Sequence, residues 1–297
     1  MKVFNACIAG VLGHGRLMEP PARTSYALHM KDPAIAAEAD KINFLYDDNA
    51  LFCGGTSHQI SQGYKCGKCG DAYDLPRPRD YEWGGRYGRS GIIPRIYSSG
   101  SEIELTVQIT AHHMGWFEYS LCKMSENDIT EPESCFEKPE DLLVFDDGTT
   151  RWDIPGTNVG GDPVKGGWWY TRMARLPEGL TCDHCVIQWR YHTGNSWGCD
   201  HKNDVCGMGE GYQEEFYGCA DVQIIDGPVE KPEEEKGLDI AMYCNEVGAG
   251  IHAHPEICEA YIECSGFANS VLHCAPGLHF NKKVSACDWA VNVDCNV

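Results

Sequence analysis

Glu102-Ile103-Glu104-Leu105-Thr106-Val107-Gln108-Ile109 sets Ile, Leu and Val against Glu, Thr and Gln at a strict period of two. Successive side chains of a strand point to opposite faces, so the stretch reads as a β-strand with one buried face and one solvated face. It runs into Thr110-Ala111-His112-His113-Met114-Gly115, and Trp116-Phe117-Glu118-Tyr119-Ser120-Leu121-Cys122 begins a second strand. A side chain on the intervening turn is held by rigid strands on both sides, as a preorganised metal site requires. Further strand-like runs lie at 168–172, 185–191 and 216–225. Few helices and several short strands predict an all-β fold, a β-sandwich Ig-like or fibronectin-like in outline with long disulfide-held loops.

Outward from these strands the chain becomes irregular. Residues 53–91 are rich in Gly, Pro and Cys, which reads as loop structure held by disulfides. Pro33 followed by Ala34-Ile35-Ala36-Ala37-Glu38-Ala39-Asp40-Lys41-Ile42 predicts a short helix decorating a loop. Cys66 with Cys69, and Cys182 with Cys185, have the Cys-x-x-Cys spacing of a zinc ribbon or of disulfide partners. The total count favours disulfides: 17 cysteines in 297 residues, 16 once Cys7 is removed with an N-terminal leader, is an even, dense set that belongs in an oxidising compartment. A formal net charge of −20 argues against nucleic acid or an anionic membrane as partner, whereas a neutral polymer would not be repelled. No run approaches the roughly 20 apolar residues needed to cross a bilayer.

Residues 1–13 have a positive start, an apolar middle and Val11 and Gly13 before His14, the pattern of a secretory signal peptide. Cleavage after Gly13 makes His14 the first residue of the mature, secreted chain, with an imidazole and a free α-amine. Both nitrogens can bind one metal ion, because the α-amine loses its proton near pH 7.7–8, an ordinary value of about that size. A second imidazole from His113 completes a three-nitrogen set, which suits copper better than zinc.

The opening His14-Gly15-Arg16-Leu17, with Pro20-Pro21-Ala22-Arg23, resembles the lytic polysaccharide monooxygenases of auxiliary-activity family fifteen. So do 110–115, Cys53-Gly54-Gly55, 65–71, Gln188-Trp189-Arg190-Tyr191, Gly194-Asn195-Ser196-Trp197-Gly198 and Cys219-Ala220-Asp221, and the resemblance covers roughly residues 14–226. It implies a copper-dependent enzyme that oxidatively cleaves β-1,4-linked polysaccharide, using an external electron donor and hydrogen peroxide or dioxygen as co-substrate. His14 and His113 match its metal ligands, and His112 stands where the family usually has Asn. His112 is then expected near the substrate surface, or the two histidines exchange on the turn. Ala111 matches the small residue crowding one axial face of the metal. The other axial position falls to Phe216 or to Tyr217, with Phe216 favoured by counting back from Asp221. Gln188 is a candidate for orienting a bound oxygen species, or else a solvent-facing strand residue.

The segment 227–241, dense in charge and Pro, reads as an acidic linker. Beyond it, 242–297 places Cys244, Cys258, Cys264, Cys274, Cys287 and Cys295 at intervals of 13, 5, 9, 12 and 7 residues, resembling the peritrophin-A type chitin-binding domain. That resemblance implies the pairs 244–264, 258–295 and 274–287 in a small disulfide-rich β domain. Tyr261, Phe267, Phe280 and Trp289 are candidate sugar-stacking residues, although a domain this small needs some of them as core. The combination implies a monomeric enzyme acting on chitin, with cellulose as the second candidate. The competing class is a non-catalytic chitin-binding protein of a cuticle or gut lining. A zinc hydrolase would need a further His or oxygen ligand that no motif supplies.

Overall fold

A computed structural model describes residues 14–154, 156, 167–200, 203–229, 240–264, 269–274, 278–293 and 295. The expected leader 1–13, most of the expected linker (230–239) and Phe267 lie outside the described residues. The chain folds as two compact units, Met1–Val229 and Glu230–Val297.

In the first unit the strands are β1 (His14–Glu19), β2 (Arg95–Ser98), β3 (Glu102–Ala111), β4 (Trp116–Lys123), β5 (Val144–Phe145) and β6 (Trp152–Asp153). They are followed by β7 (Trp168–Arg175), β8 (Cys182–His192), β9 (Trp197–Asp200), β10 (Val205–Met208) and β11 (Glu215–Ile225). One sheet runs β1-β3-β7-β5, a second β2-β11-β8-β4-β6, and β9 and β10 form a separate hairpin. This is the expected all-β sandwich. Leu17, Ile103, Leu105, Val107, Ile109 and Tyr170 from the four-stranded sheet meet Phe117, Ile187, Trp189, Tyr191, Phe216 and Val222 from the five-stranded one in a single core. Burial of this apolar surface is what holds the two sheets together.

On β3 the alternating apolar residues do face the core, but Thr106 and Gln108 are buried as well. β3 is a central strand, and its outward polar groups are paired across it: Thr106 with the Thr171 hydroxyl at 2.8 Å and Gln108 Oε1 accepting from Arg16 at 3.1 Å. The predicted helix shrinks to one turn, α1 (Pro33–Ala36), capped by Asp32, before a separate 3-10 turn at Ala39–Lys41. Ile35 is the helix's one buried anchor, packed with Tyr26 and Ile92, and Ile42 reaches the same cluster from beyond the 3-10 turn, so the helix does not propagate.

All sixteen cysteines after Cys7 are paired. In the first unit the bridges are Cys53–Cys66, Cys69–Cys219, Cys122–Cys135, Cys182–Cys185 and Cys199–Cys206. Cys66 and Cys69 thus have different partners, and neither Cys-x-x-Cys pair keeps a thiolate for zinc. Cys69, Glu131 and Cys219 cluster as potential ligands, but their two sulfurs are joined to each other.

The first unit also carries a short helix, α2 (Thr56–Ser61), and the second contains α3 (Ile240–Val247) and the strands β12 (Gly250–Ala253), β13 (Ala260–Cys264), β14 (Ser270–His273), β15 (Leu278–Asn281) and β16 (Ala286–Trp289). They make a three-stranded sheet β12-β13-β14 and a hairpin β15-β16. The bridges are Cys244–Cys264, Cys258–Cys295 and Cys274–Cys287, the pairs the resemblance implies. The core is little more than Cys244, Ile262 and Cys264 with Ile240, Tyr243 and Val271 against them.

Candidate metal centre

His14 opens β1 and lies opposite Ala111 at the end of β3. The next residue has to be small: a Cβ on Gly15 would meet Ile109 Cδ1 at 2.6 Å and the Trp189 ring at 3.0 Å. Gly15 therefore lets the start of the strand lie flat on the core, and its N–H donates to the Asn49 carbonyl at 3.0 Å. His14 itself stays partly exposed.

His113 sits on the turn between β3 and β4, which closes through Met114 (φ 55°) and Gly115 (φ 94°). A Cβ on Gly115 would meet the His192 carbonyl oxygen at 2.0 Å, so only glycine permits this turn. Three contacts then fix His113: its N–H donates to the Tyr191 hydroxyl at 3.0 Å, its carbonyl accepts from Gly194 N–H at 2.8 Å, and the side chain is buried. Nδ1 of the ring lies 2.9 Å from Asn195 Nδ2 and 3.4 Å from Glu214 Oε2. Glu214 can accept from a proton on Nδ1, which leaves the Nε2 lone pair for a metal, while the Asn195 amide N–H, as placed, competes for the same ring nitrogen.

His112 is fastened differently. Its Nδ1 accepts from the Met114 N–H at 3.0 Å, so Nε2 carries the proton and donates to the Tyr170 hydroxyl at 2.7 Å. With both nitrogens engaged and the ring edge-on to Trp168 at 5.7 Å, the exchange of the two histidines has no support in the geometry.

Phe216 and Tyr217 face opposite ways on β11. The Phe216 ring is fully buried, 6.3 Å from the His14 ring and 5.8 Å from the Tyr191 ring. The Tyr217 hydroxyl instead donates to Glu215 Oε2 at 2.6 Å on the other face. That face also carries Arg190 and His192, whose Nδ1 lies 2.9 Å from Glu215 Oε1. Against the burial that would raise it, the Arg190 guanidinium and the hydrogen bond with His192 hold Glu215 down to about 2.

Gln188 needs correcting as an oxygen-orienting group. Its strand neighbours Ile187 and Trp189 are in the core, so Gln188 points outward, where Nε2 donates to the Lys68 carbonyl at 2.5 Å beside the Cys69–Cys219 bridge. It joins a loop to the sheet and does not reach the His14 side of β8. In the C-terminal unit Phe280 is only 5% exposed and stacks on Tyr261 at 4.9 Å, which makes this pair core and not sugar platform. Trp289, 63% exposed, keeps an open ring face.

Asn195, Glu214 and Tyr191 surround His113 and were given no role from the sequence. Asn195 stood inside the block 194–198, so its place in a motif was visible while its partner was not. The two ends of the resemblance also meet: Arg23, buried, donates from Nε to Asp221 at 2.9 Å and from Nη1 to Glu131 at 2.6 Å. This ties the start of the chain to its last sandwich strand, immediately behind β1.

The family described as lytic polysaccharide mono-oxygenase, cellulose-degrading, matches residues 14–222, and the chitin binding Peritrophin-A domain matches residues 244–295. Among solved structures, the lytic polysaccharide monooxygenase AA15 from Thermobia domestica, in its Cu(I) state, is 38% identical, covering 71% of this chain and 98% of its own, with a TM-score of 0.59. The cellulose-active monooxygenase CelS2, in complex with copper, is 22% identical over 72% of this chain and 100% of its own, with a TM-score of 0.44. No curated protein matches the chain. By the span of the family match and the identity to the Thermobia domestica protein, the chain belongs to the lytic polysaccharide monooxygenases and carries a C-terminal peritrophin-A chitin-binding domain.

Proposed function

We propose that the chain is a secreted, monomeric, copper-dependent monooxygenase that cleaves β-1,4 bonds of chitin, and that His14 and His113 hold the copper. The mature enzyme domain would be 14–226, released by cleavage after Gly13, and the acidic linker 227–241 would tether the module 242–297. The observation that carries this reading is the His113 ring, with Nδ1 facing Glu214 and Asn195 and Nε2 left as donor, on the turn that follows Ala111, the partner of His14. With the α-amine and ring of His14 these make an all-nitrogen donor set, which fits copper. Bound copper supplies one-electron oxidation chemistry, with an external donor and hydrogen peroxide or dioxygen as co-substrates.

The chain's own residues do the rest. Glu214 keeps the proton on His113 Nδ1, which fixes the ring's orientation and the availability of Nε2. Phe216 closes the inner side with an apolar ring and offers no ligand atom, and the Ala111 methyl would crowd the other side and shape access to it. The C-terminal module raises the effective concentration of the enzyme at an insoluble surface even where each contact is weak. Chitin is favoured over cellulose because that module resembles chitin binders.

The test is intact mass and N-terminal sequencing of secreted protein, with copper titrated into wild type and His113→Ala. The expected result is a chain beginning at His14 that takes one copper ion, a variant that does not, and oxidised oligosaccharides released from chitin with reductant. A mature chain that retains residues ahead of His14, or one that takes up no copper, would leave the non-catalytic chitin-binding protein as the better account.

A further inference from the structure

A cleft of about 470 Å³ lies between the β9–β10 hairpin and the outer face of the five-stranded sheet, lined by Tyr64, Trp116, Arg151, His192, Glu210 and Tyr212. Phe216 and the core lie on the opposite face of that sheet, so the cleft is distinct from the surface around His14. Its size falls within the roughly 300–1,000 Å³ of small-ligand sites.

Floor and wall are both preformed. Trp116 stacks on His192 at 4.7 Å with the rings 15° apart, and His192 is held by the buried Glu215. Arg190 and Arg151 lie 5.2 and 4.8 Å from the Trp116 ring. Arg151 is exposed and paired with the exposed Asp153, so it covers the indole and is free to swing away. Across the cleft the Tyr64 and Tyr212 rings are 4.5 Å apart. The Tyr64 hydroxyl donates to the Gln213 carbonyl at 2.7 Å and accepts from the Gln213 N–H at 3.0 Å, while Tyr212 is 56% exposed. The hairpin wall cannot relax: Cys199–Cys206 bridges it, and the Gln213 amide donates to the Ser196 and Glu210 carbonyls at 2.9 and 2.7 Å. A Cβ on Gly198 or Gly211 would meet backbone oxygens at 2.0 and 2.4 Å.

Aromatic faces framed by a guanidinium and carboxylates are the chemistry that recognises a neutral polyhydroxylated ring: C–H faces stack, and hydroxyls bond to the planar polar groups. Charges of both signs at the rim, Arg151 with Glu210 and Asp200, favour no strongly ionic ligand. A concave site admits a single chain and excludes a crystalline sheet. We propose that this cleft binds a short, soluble β-1,4-linked oligosaccharide, separately from the metal-centred surface. Only the linkage of that sugar rests on the function proposed above.

The experiment titrates the N-acetylglucosamine tetramer, and cellotetraose beside it, into the full chain carrying Trp289→Ala, metal-free and copper-loaded, by calorimetry. Binding is expected to persist without Trp289 and without copper. Tyr212→Ala should weaken it about threefold to tenfold, the worth of one aromatic contact, and Tyr212→Phe should restore it. Unchanged affinity in Tyr212→Ala, or loss of all binding with Trp289→Ala alone, overturns the proposal. So does displacement of nothing by the tetramers while catechol binds in a Tyr212-dependent way, which would mark a small aromatic ligand instead. Sugar binding in a chain that takes up no copper would sink the metal reading and leave the cleft standing, and the reverse pattern would sink the cleft alone.

Discussion

The two units solve the problem of stability in opposite ways. In the first, two sheets enclose Trp189, Tyr119, Tyr170, Tyr191, Phe117 and Phe216, all fully buried, and the bridges mostly fasten loops to that core. In the second, three buried residues make the centre of the core and three bridges do most of the holding, as expected where about 55 residues cannot remove much surface from water. An aromatic residue therefore means different things in the two. In the sandwich it is core unless shown otherwise. In the small module every ring is claimed by one of two needs, and Phe280 went to packing while Trp289 stayed outside.

Four substitutions would break or sharpen this contrast. A large effect is expected from Arg23→Leu, which takes the guanidinium away from the buried Asp221 and Glu131 and should cost the first unit about 3–5 kcal/mol in urea unfolding, with the transition of the second unit unmoved. Phe280→Ala should cost the second unit about 3 kcal/mol. Trp289→Ala should change its stability by less than about 0.5 kcal/mol while abolishing retention on chitin beads. If Trp289→Ala unfolds the module, the division into packing ring and open ring is wrong. Glu214→Gln, which removes the charge facing His113 Nδ1, should weaken copper about tenfold to a hundredfold in calorimetry without shifting the thermal midpoint of the metal-free protein.

A further effect is one of pH. Burial, with Glu82 and Asp80 adding to it, pushes Asp71 up to about 7 from an ordinary value of 3.8, against the Tyr81 N–H that it accepts. The folded state then keeps a proton that the unfolded chain releases near pH 4. This contribution to stability is complete below that point and is lost as pH rises towards 7. Asp71→Asn should flatten that decline in the first unit, and an unaltered slope in thermal midpoints between pH 4 and 7 would remove Asp71 as its cause.

The strands were legible because each rests on a local pattern, whereas Arg23 and Asp221 each stood in a quoted motif with nothing in the sequence to pair them. The parity that sends Gln188 outward was legible too: Ile187, Trp189 and Tyr191 are apolar at alternate positions, so the residue between them must face away. The residues around His113 were not legible. Asn195 and Glu214 arrive from loops on the far side of the sequence, 82 residues away in the first case, and no periodicity links them to the turn. The helix at 33–42 failed for a related reason. Its composition suits a helix, but packing decides how far a helix runs, and Ile42 reaches the cluster around Ile35 in extended backbone and not as a further helical turn.

β11 lies between β2 and β8, and it brings Phe216, Cys219 and Asp221 into the sandwich together. It is also the last strand of its unit to be made. At roughly 5–20 residues per second, β1 waits on the order of 10–40 seconds on the ribosome for the strand that closes over it. For that interval Leu17 lacks the cover of β11 and Arg23 lacks the carboxylate of Asp221. A chain interrupted before β11 is thus left with an open edge on β8 and with Arg23 short of one of its two carboxylate partners, a form chemically distinct from the finished fold.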